Sequence, residues 1–536
     1  MFLVLSAASL ALASAAPRVP SVPASRTSID PKIVVFVIDD AGPELFGAYG
    51  AYYGAVTGQP SGEPAATPAI DAFLAAQGVS FAHAWSNPVC SPTRACMLTG
   101  RYTYRTGVGS HTSNRPTPLR KGLSPAHVLL PEVLRSAAPA YRGVALGKWH
   151  LAERSQLDAD PLHPLGQPAG RWFDAWAGTY FSLSAPEGLD PHIYSYSVWK
   201  KSTAASPHSL SNLCAPAAPP CQVQMVAPPM TQYATVDTAE DALQCLREAN
   251  GPLFLWVAFN AIHMPVHDVP PGLPAPTCAG YTPPAVSCDF APTLTPTQER
   301  ARCMLESVDA QIGRVLCEVD FDTTTVILIG DNGTPKNVLV APYPPNHAKS
   351  TLYEGGVRVP LIVRSPLTPV PSRGSFVEAP VHAVDVFATV CDLAGVVAPP
   401  GTGVDSVSLV PYLQGSTARQ RAYVYSEEFF PHFTPDPATG AAPTSFAAKH
   451  HAQAISNGQY KLIRYSRRGT NGSPPVVREE FYDLRSGGPP TSTAPSSPDY
   501  FEQYDLLALG SLSPDAAAVF ELLHEELDQK FPALTR

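Results

Sequence analysis

A chain of 536 residues is too long for one ordinary domain, which predicts one large domain and a smaller partner. Apolar residues make up 45% of the chain and charged residues 15%, so a substantial core can form and charge-driven disorder is excluded. The net charge of -9 gives no electrostatic case for binding nucleic acid, and an anionic substrate would have to be held by local positive charge.

Residues 1–16 form an apolar stretch of signal-peptide length that ends in small residues, with Ala13-Ser14-Ala15 as the cleavage site. No Lys or Arg precedes the apolar run, so an ordinary hydrophobic N-terminal element stays open as the alternative. We expect an exported protein that is secreted, periplasmic or lysosomal, depending on its host. No later run reaches about twenty apolar residues, so no membrane span is expected.

Ten cysteines are consistent with an exported protein that carries a few disulfides. Cys214 and Cys221 lie in one Pro/Ala-rich loop, and Cys278 and Cys288 lie in another. Either pair could close a small loop, but spacing alone leaves the connectivity open.

Continuous apolar and β-branched runs recur along the chain, beginning with Ile33–Ile38. Runs of this kind are typical of strands that are buried on both faces of a parallel sheet. Between them, apolar stripes at helical spacing, such as the one from Met304 to Val315, predict helices. Strands that alternate with helices imply an α/β fold with a large, mostly parallel sheet covered on both faces. Further strands are predicted at 254–259, 325–329 and 360–363, and a further helix at 384–390.

The composition changes after about residue 415, which predicts a main α/β domain at 32–415 and a smaller α+β subdomain at 416–536. Short apolar segments in this second part predict an antiparallel sheet. An apolar face that includes Phe520, Leu523 and Leu527 predicts a C-terminal amphipathic helix. The predicted strands are 422–425, 454–455, 460–463 and 480–484.

Acidic residues follow two of the predicted strands at the point where each strand ends. Asp39-Asp40 comes directly after the first strand, and Asp331-Asn332-Gly333 comes after the strand at 325–329. Ligands of open α/β sheets bind outside the carboxyl ends of the strands, so these oxygens can form one hard cation site. Ca²⁺ suits such a set better than Mg²⁺, which prefers fewer protein ligands and more water. Each piece alone would be an ordinary helix cap or turn.

The segment that begins at Cys90 carries a cysteine, a proline and an arginine at close spacing. If a helix begins near Pro92, Cys90 lies at its N-terminal end, where backbone N–H groups favour anions. Arg94 then lies within about the first turn and can face the same point. A buried or disulfide-bonded cysteine beside a surface arginine is the alternative for such a pair.

The same segment resembles the signature of the type I sulfatases of the alkaline-phosphatase-like superfamily, C-x-P-[S/T]-R followed by T-G-R. Cys90, Pro92 and Arg94 match this signature, and Thr93 is its threonine variant. The resemblance runs in family order from about residue 32 to 365 and implies the fold of that superfamily, a mixed, mostly parallel sheet between helices. It is also carried by Asp39-Asp40, Gly147–Leu151, Asn260–Pro265, Asp331–Gly333 and Lys349–Pro360.

In that family, a formylglycine-generating enzyme oxidises the cysteine to an aldehyde that exists as its hydrate. For this chain, the resemblance implies a sulfuric ester hydrolase whose nucleophile is a formylglycine hydrate made from Cys90. It implies 32–415 as the catalytic domain. The implied metal site holds one Ca²⁺, with Mg²⁺ the less suited ion, and its ligands are Asp39, Asp40, Cys90, Asp331 and Asn332.

The resemblance also implies roles for the positively charged and histidine side chains. Arg94, Lys148 and Lys349 would offset the charge of the sulfate oxygens. Either His263 or Lys349 would protonate the leaving alcohol, and His150 would be the base in the step that releases sulfate.

Three other functions stay open at this point. A phosphomonoester or phosphonate monoester hydrolase of the same superfamily acts on a tetrahedral anion of the same kind. A non-catalytic secreted binding protein would follow if Cys90 stays unmodified. A Cys/His hydrolase would leave the paired acidic strand ends unexplained. The substrate, a sulfated small molecule or carbohydrate, is not fixed by any motif, because the Pro/Ala-rich segments at 155–235 and 265–300 match no pattern.

Overall fold

The computed structural model describes residues 31–534 apart from several breaks along the chain. The predicted signal peptide at 1–16 and the cysteines Cys214 and Cys221 lie outside the described residues. The breaks are 58–61, 114–116, 118, 154–171, 184–200, 203–223, 226–232, 279–280, 282–283, 285, 291, 341–342, 399–402, 437–439, 445, 470–472, 486–498, 500, 511 and 532.

The described part of the main domain forms a ten-stranded sheet and a separate two-stranded ladder. The central strands at 32–38, 253–258 and 324–330 are rich in apolar residues, as buried strands require. In chain order, the strands are β1 (Lys32–Ile38), β2 (Val79–Phe81), β3 (Ala84–Trp85), β4 (Arg142–Lys148), β5 (Ala175–Thr179), β6 (Lys201–Ser202), β7 (Gln224–Met225), β8 (Leu253–Ala258), β9 (Thr324–Gly330), β10 (Leu361–Arg364), β11 (Ser375–Val377) and β12 (Val381–His382).

The five strands at the centre of the large sheet are parallel. The full order is β11-β2-β10-β9-β1-β8-β4-β5-β6-β7, and β1 pairs with β8 through Val34↔Leu255 and with β9 through Val34↔Val326. On one flank β10 runs antiparallel to β9, and on the other β6 runs antiparallel to β5. The prediction of a mixed, mostly parallel sheet is therefore confirmed.

Helices cover both faces of this sheet. Alternate residues of β1 from Ile33 to Val37 belong to one core cluster, and those from Val34 to Ile38 belong to another. No helix among the described residues combines the length and apolar character that a bilayer crossing needs. The helices are α1 (Gly47–Thr57), α2 (Cys90–Thr99), α3 (Thr103–Thr106), α4 (Leu130–Leu134), α5 (Ala234–Glu248), α6 (Pro296–Leu316), α7 (Glu354–Val357), α8 (Asp385–Ala394), α9 (Val410–Leu413) and α10 (Pro514–Lys530), with shorter 3₁₀ or π segments at Pro43–Leu45, Ile70–Ala75 and Val370–Ser372.

The C-terminal part forms a four-stranded antiparallel sheet with α10 packed against it, which confirms the second half of the fold prediction. Leu523 and Leu527 of α10 share a core cluster with Leu462 and Phe481 of the sheet. The boundary between 415 and 416 stays a prediction. The strands, in sheet order, are β13 (Val424–Phe430), β14 (His450–Ser456), β15 (Tyr460–Arg467) and β16 (Val476–Asp483).

The two disulfides of the described residues both attach loops to helix α6. Cys278 is bonded to Cys317 and Cys288 is bonded to Cys303. The small loop that Cys278 and Cys288 could have closed, a pairing that the sequence left open, is therefore not formed. The physical reason is that the Pro/Ala-rich loop lies along α6, which brings the Cα atoms of each cross-linked pair to 5.5 and 5.0 Å.

Candidate active site

Neighbouring strands deliver polar side chains to one edge of the sheet. Asp39 and Asp40 follow β1 directly, and Asp331 and Asn332 follow β9 in the same way. Because β1 and β9 are parallel neighbours, Asn332 donates to Asp40 across a sequence separation of 292 residues. Lys148 is the last residue of β4. Contacts at this edge bring together the residues that the sequence analysis singled out, which are Asp39, Asp40, Cys90, Arg94, Lys148, His150, His263, Asp331, Asn332 and Lys349.

Two ammonium groups neutralise the paired carboxylates after β1. Lys148 Nζ forms an ion pair with Asp39 Oδ2, and Lys349 Nζ forms one with Asp40 Oδ1. Burial opposes ionisation of Asp40, but the charges of Lys349 and then His263 hold the pKa of this carboxyl well below its usual range. Burial raises the pKa of Asp39, although Lys148 acts in the opposite direction. The site therefore stabilises the charge of Asp40 more than that of Asp39.

Arg94 is completely buried, and its guanidinium holds Asp331 in place. Nε and Nη2 donate to Asp331 Oδ2 over 2.9 and 2.8 Å, and Nη1 donates to the carbonyl oxygen of Lys148 over 2.7 Å. Burial and the neighbouring charge of Asp39 nevertheless raise the pKa of Asp331 to about 6. Nε, Nη1 and Nη2 of Arg94 therefore all donate to protein acceptors. The contact of Arg94 with a sulfate group stays a prediction.

Cys90 is the first residue of α2 and is 1% exposed. Its Sγ lies 3.0 Å from His150 Nδ1, while His150 Nε2 lies 3.3 Å from the carbonyl oxygen of Thr112. A carbonyl can only accept, so Nε2 carries the proton and Nδ1 accepts from the thiol. Burial raises the pKa of the Cys90 thiol, and burial followed by the charge of Lys148 lowers the pKa of His150 well below its usual range. An unmodified Cys90 thus stays a thiol at neutral pH, which counts against a Cys/His hydrolase.

Two of the oxygens that would hold a cation make no hydrogen bond to another group in the described residues. Asp39 Oδ1 and Asn332 Oδ1 are buried and make no hydrogen bond within the described part of the chain. The amide nitrogen of Asn332 donates to Asp40 Oδ1 over 2.9 Å, so its carbonyl oxygen stays available. One ligand atom each from Asp39, Cys90 and Asp331 lies within 4.8 Å of the others. Buried acceptors without partners are costly, and three carboxylates repel one another, so the donor set fits a hard divalent cation.

The backbone at the site is left-handed at three residues that are not glycine. The φ angle is 63° at Asp40, 57° at His150 and 71° at Ser350. Such conformations cost roughly 1–3 kcal/mol each and persist only where the surroundings determine them. Asp40 N donates to Asp331 Oδ1 over 3.2 Å, and Ser350 N donates to the carbonyl oxygen of Pro88 over 2.9 Å. These contacts fix the directions of the side chains that surround Cys90.

A cavity of about 350 Å³ opens beside Cys90 and is lined by His150, His263 and Lys349. His263 Nε2 lies 3.3 Å from Ser182 Oγ and 3.9 Å from Asp40 Oδ2. Burial, followed by the charge of Lys148, lowers the pKa of His263 to about 3. Other wall residues were not predicted from the sequence, because they lie on irregular loops with no diagnostic spacing. They include His111, Thr112, Phe181, Ser182 and Met264.

A buried cysteine at a helix N-terminus, a set of buried oxygens that fits a cation and two ammonium groups near a cavity are the arrangement expected of a hydrolase that acts on anionic esters. The family model described as Sulfatase matches residues 31–396, which is more than half of the chain. The chain therefore belongs to the sulfatase family and is a sulfuric ester hydrolase, as its motifs predicted.

Curated relatives agree with this assignment over most of their length. N-acetylgalactosamine-6-sulfatase of Canis lupus familiaris is 29% identical over 445 residues, covering 79% of this chain and 72% of the relative. The human enzyme of the same name is 28% identical over 417 residues, covering 74% of this chain and 68% of the relative. Steryl-sulfatase of Mus musculus is 26% identical over 531 residues, covering 88% and 77%.

Solved structures share the whole architecture. The crystal structure of Ps i-CgsB superposes with a TM-score of 0.63 at 20% identity and covers 95% of both chains. The structure of BT4656 in complex with its substrate D-glucosamine-2-N,6-O-disulfate superposes with a TM-score of 0.59 at 18% identity, covering 94% of this chain and 98% of that one. At these identities the likeness shows the fold, including the antiparallel sheet at the C-terminus.

Proposed function

We propose that this sulfatase removes sulfate from a sulfated carbohydrate, with formylglycine at position 90 as the nucleophile and one bound Ca²⁺. The observation that carries the proposal is the position of Cys90, buried at the N-terminus of α2 and beside both the carboxylate cluster and the cavity. Relatives named for N-acetylgalactosamine 6-sulfate and a neighbour bound to a disulfated glucosamine support a sugar ester. The cavity of about 350 Å³ lies near the lower end of the range for ligand pockets, consistent with one sulfated sugar unit.

Asp39, Asp40, Asp331, Asn332 and the oxygen of residue 90 are the proposed ligands of the cation. Ca²⁺ fits better than Mg²⁺, because these oxygens come from two strand ends and a helix and form an irregular set. The thiol of Cys90 is the one soft donor in this set, and its conversion to an oxygen group makes all the ligands hard. When bound, the cation polarises the sulfate and favours ionisation of the attacking hydroxyl.

The chain's own side chains bind the sulfate group and move protons. The hydrated aldehyde supplies one hydroxyl for attack on sulfur and a second whose deprotonation expels sulfate. Lys148 and Lys349 offset the charge of the sulfate oxygens. Arg94 donates to Asp331 and so holds this carboxylate in position at the site. His150, with its proton on Nε2 and Nδ1 facing residue 90, is placed to take the proton of the second hydroxyl.

His263 is the group that we expect to protonate the leaving alcohol, and Lys349 is the alternative. The Lys349 ammonium is bound to Asp40, which raises the pKa of Lys349 despite its burial, so it gives up a proton reluctantly. His263 lines the cavity and is 21% exposed. Its pKa, lowered to about 3 by burial and the charge of Lys148, would rise when an anionic sulfate ester binds beside it, because the charge of the ester favours the protonated ring. His263→Ala should lower kcat on a sugar sulfate by roughly 10²–10⁴-fold but change kcat on a nitrophenyl sulfate much less, because a nitrophenolate leaves without protonation.

The matched variant for this prediction is Lys349→Ala. It should lower kcat on both esters by similar factors, since it removes charge stabilisation and not the proton. The opposite result would be that His263→Ala lowers kcat on both esters equally and Lys349→Ala lowers it only on the sugar ester. That result would show that Lys349 protonates the leaving alcohol.

The nearest competing function is hydrolysis of phosphate or phosphonate monoesters, which are also tetrahedral anions. We expect kcat/KM for a sulfate ester of one sugar to exceed that for the matching phosphate ester by at least about 10²-fold, because a phosphate monoester is mostly a dianion at neutral pH and brings a second negative charge to a site that already holds three carboxylates. The measurement compares release of inorganic sulfate and phosphate from the two esters, with protein co-produced with a formylglycine-generating enzyme. Faster release of phosphate would contradict the proposal.

The proposal also specifies partners and compartment. A formylglycine-generating enzyme must modify Cys90 before the site closes around it, since the residue is 1% exposed in the folded chain. We infer export through the predicted signal peptide at 1–16, followed by secretion or delivery to the periplasm or lysosome, which is consistent with the disulfides on α6.

A further inference from the structure

Lys349 lies on a stretch that we call the lysine segment (residues 347–358), an irregular loop that runs into the short helix α7. Backbone hydrogen bonds attach this segment to the edge of the sheet that carries the candidate site. Lys349 N donates to the carbonyl oxygen of Thr334 over 2.9 Å, and Ser350 N donates to that of Pro88 over 2.9 Å. Thr334 lies two residues beyond Asn332, and Pro88 lies two residues before Cys90. The lysine segment is thus joined to the loop that follows Asn332 and to the residues that precede Cys90.

The other side of the lysine segment is held by the C-terminal subdomain. His347 Nδ1 donates to the carbonyl oxygen of Phe501 over 3.1 Å. Tyr353 Oη donates to Glu480 Oε2 over 2.7 Å. Glu354 N donates to Glu502 Oε2 over 2.5 Å. The C-terminal subdomain thus holds the lysine segment through three contacts within eight residues. None of the described residues of this subdomain lines the cavity.

Lys461, on strand β15, is the centre of this contact. Its side chain is 0% exposed, and Nζ lies 2.9 Å from Glu354 Oε1 and 2.7 Å from Glu502 Oε1. The ammonium also lies 4.6 Å from the centre of the Trp85 ring. A completely buried lysine is rare and stays charged only where it is paired.

The charges around Lys461 show what it compensates. Glu354 is also paired with Arg358, whose Nη2 lies 2.6 Å from Glu354 Oε2. Although burial opposes it, the charges of Arg358 and Lys461 lower the pKa of Glu354 to about 2. Glu502 has Lys461 as its ion-pair partner, and burial raises the pKa of Glu502 to about 7. Without Lys461, two buried carboxyl groups would face each other where the lysine segment meets the subdomain.

We propose that Lys461 is a positioning residue for catalysis: by bridging Glu354 and Glu502, it fixes the lysine segment so that the Lys349 ammonium stays against Asp40 beside residue 90. This inference rests on the proposed role of Lys349 in binding the sulfate charge. The smaller subdomain is, in this view, part of the catalytic apparatus, although it lends no side chain to the cavity within the described residues.

The test uses a charge-balanced variant, because Lys461→Met alone leaves a buried carboxylate unpaired and endangers folding. The pair Lys461→Met with Glu502→Gln removes one charge of each sign and keeps an acceptor for the Glu354 N–H. We expect kcat for sulfate release to fall roughly 10- to 100-fold, the range for a reacting group displaced by about 1 Å. Tyr353→Phe, which deletes one hydrogen bond of the same segment, should lower kcat by a smaller factor.

The matched control lies in the same sheet. Arg464 and Glu479 form an ion pair of 2.6 Å between β15 and β16, and neither contacts the lysine segment in the described residues. Arg464→Met with Glu479→Gln should leave kcat unchanged. Thermal unfolding of all variants verifies that each one is folded at the assay temperature.

The decisive measurement repeats the charge-balanced variant in a Lys349→Ala background. If Lys461 acts through Lys349, adding the charge-balanced pair to Lys349→Ala lowers kcat by less than about twofold, because the ammonium that Lys461 positions is already absent. The same fold-loss in both backgrounds would overturn the proposal and leave Lys461 a structural residue. A Lys349→Ala enzyme with unchanged kcat would instead refute the assumed role of Lys349, and the positioning role with it.

Discussion

Replacing Cys90 by alanine is expected to abolish sulfate release while the chain still folds. The side chain is buried at the start of α2, and alanine is a good helix former that fills most of its volume. We expect a destabilisation of about 1–2 kcal/mol, typical of a small deletion in a core. Turnover of any sulfate ester should fall by at least about 10⁴-fold, because loss of a nucleophile removes the reaction path itself.

The control for this prediction is Cys391→Ala. Cys391 is also a free, buried cysteine on a helix, but it lies on α8 and has no part in the site. Its replacement should change stability by a similar amount and leave kcat intact. Equal activity losses in the two variants would show that the effect of Cys90→Ala is one of folding.

Mass spectrometry of the peptide that carries residue 90 completes this test. Active protein should carry an aldehyde there in place of the thiol. An active enzyme with an unmodified thiol would contradict the formylglycine mechanism, while leaving the membership of the sulfatase family untouched.

The sequence was sufficient to predict that the acidic residues after two strands meet at one edge of the sheet, for a simple geometric reason. Asp39 and Asp331 each follow a continuous apolar strand, and parallel strands end at the same edge, so residues far apart in the chain meet. The helix that begins at Cys90 follows from the proline two residues later. Such features depend on local patterns alone.

Other features depend on contacts that no local pattern encodes. The strand predicted at 422–425 runs to Phe430, because Glu427 and Glu428 continue it, and Glu427 is buried in an ion pair of 2.8 Å with His451. The sequence around Lys461 is typical of a surface lysine beside two apolar strand residues, but Lys461 is buried and its partners come from two other parts of the chain. The partner of Cys288 is Cys303 on α6, and the partner of Cys278 is Cys317 at the C-terminal end of that helix. No local spacing predicts either pair.

The second large effect is expected at the proposed cation site, where Asp331→Asn tests a single ligand. Asparagine has the same shape, so it can still accept from Arg94 with one oxygen. Its amide nitrogen then occupies the place of Asp331 Oδ1, which accepts from Asp40 N over 3.2 Å, and there it presents hydrogens to the cation. The variant should therefore lose both a negative charge and a ligand atom, so we expect the affinity for Ca²⁺ to fall by at least about 10²-fold and kcat/KM to fall with it.

The most direct readout of this prediction is thermal stability as a function of Ca²⁺, which does not depend on activity. Binding to the folded state stabilises it by about 2.7 kcal/mol when the free ion is at 100 times Kd, so the Tm of the parent protein should rise with Ca²⁺ and fall on chelation. The Tm of Asp331→Asn should stay flat over the same range.

The matched control is Asp174→Asn, because Asp174 lies just before β5 at the opposite edge of the sheet and accepts from Gly143 N over 2.7 Å. That variant should keep the Ca²⁺ response of the parent. A full Ca²⁺ response in Asp331→Asn would place the cation elsewhere, because a site built on three carboxylates cannot lose one of them without weaker binding.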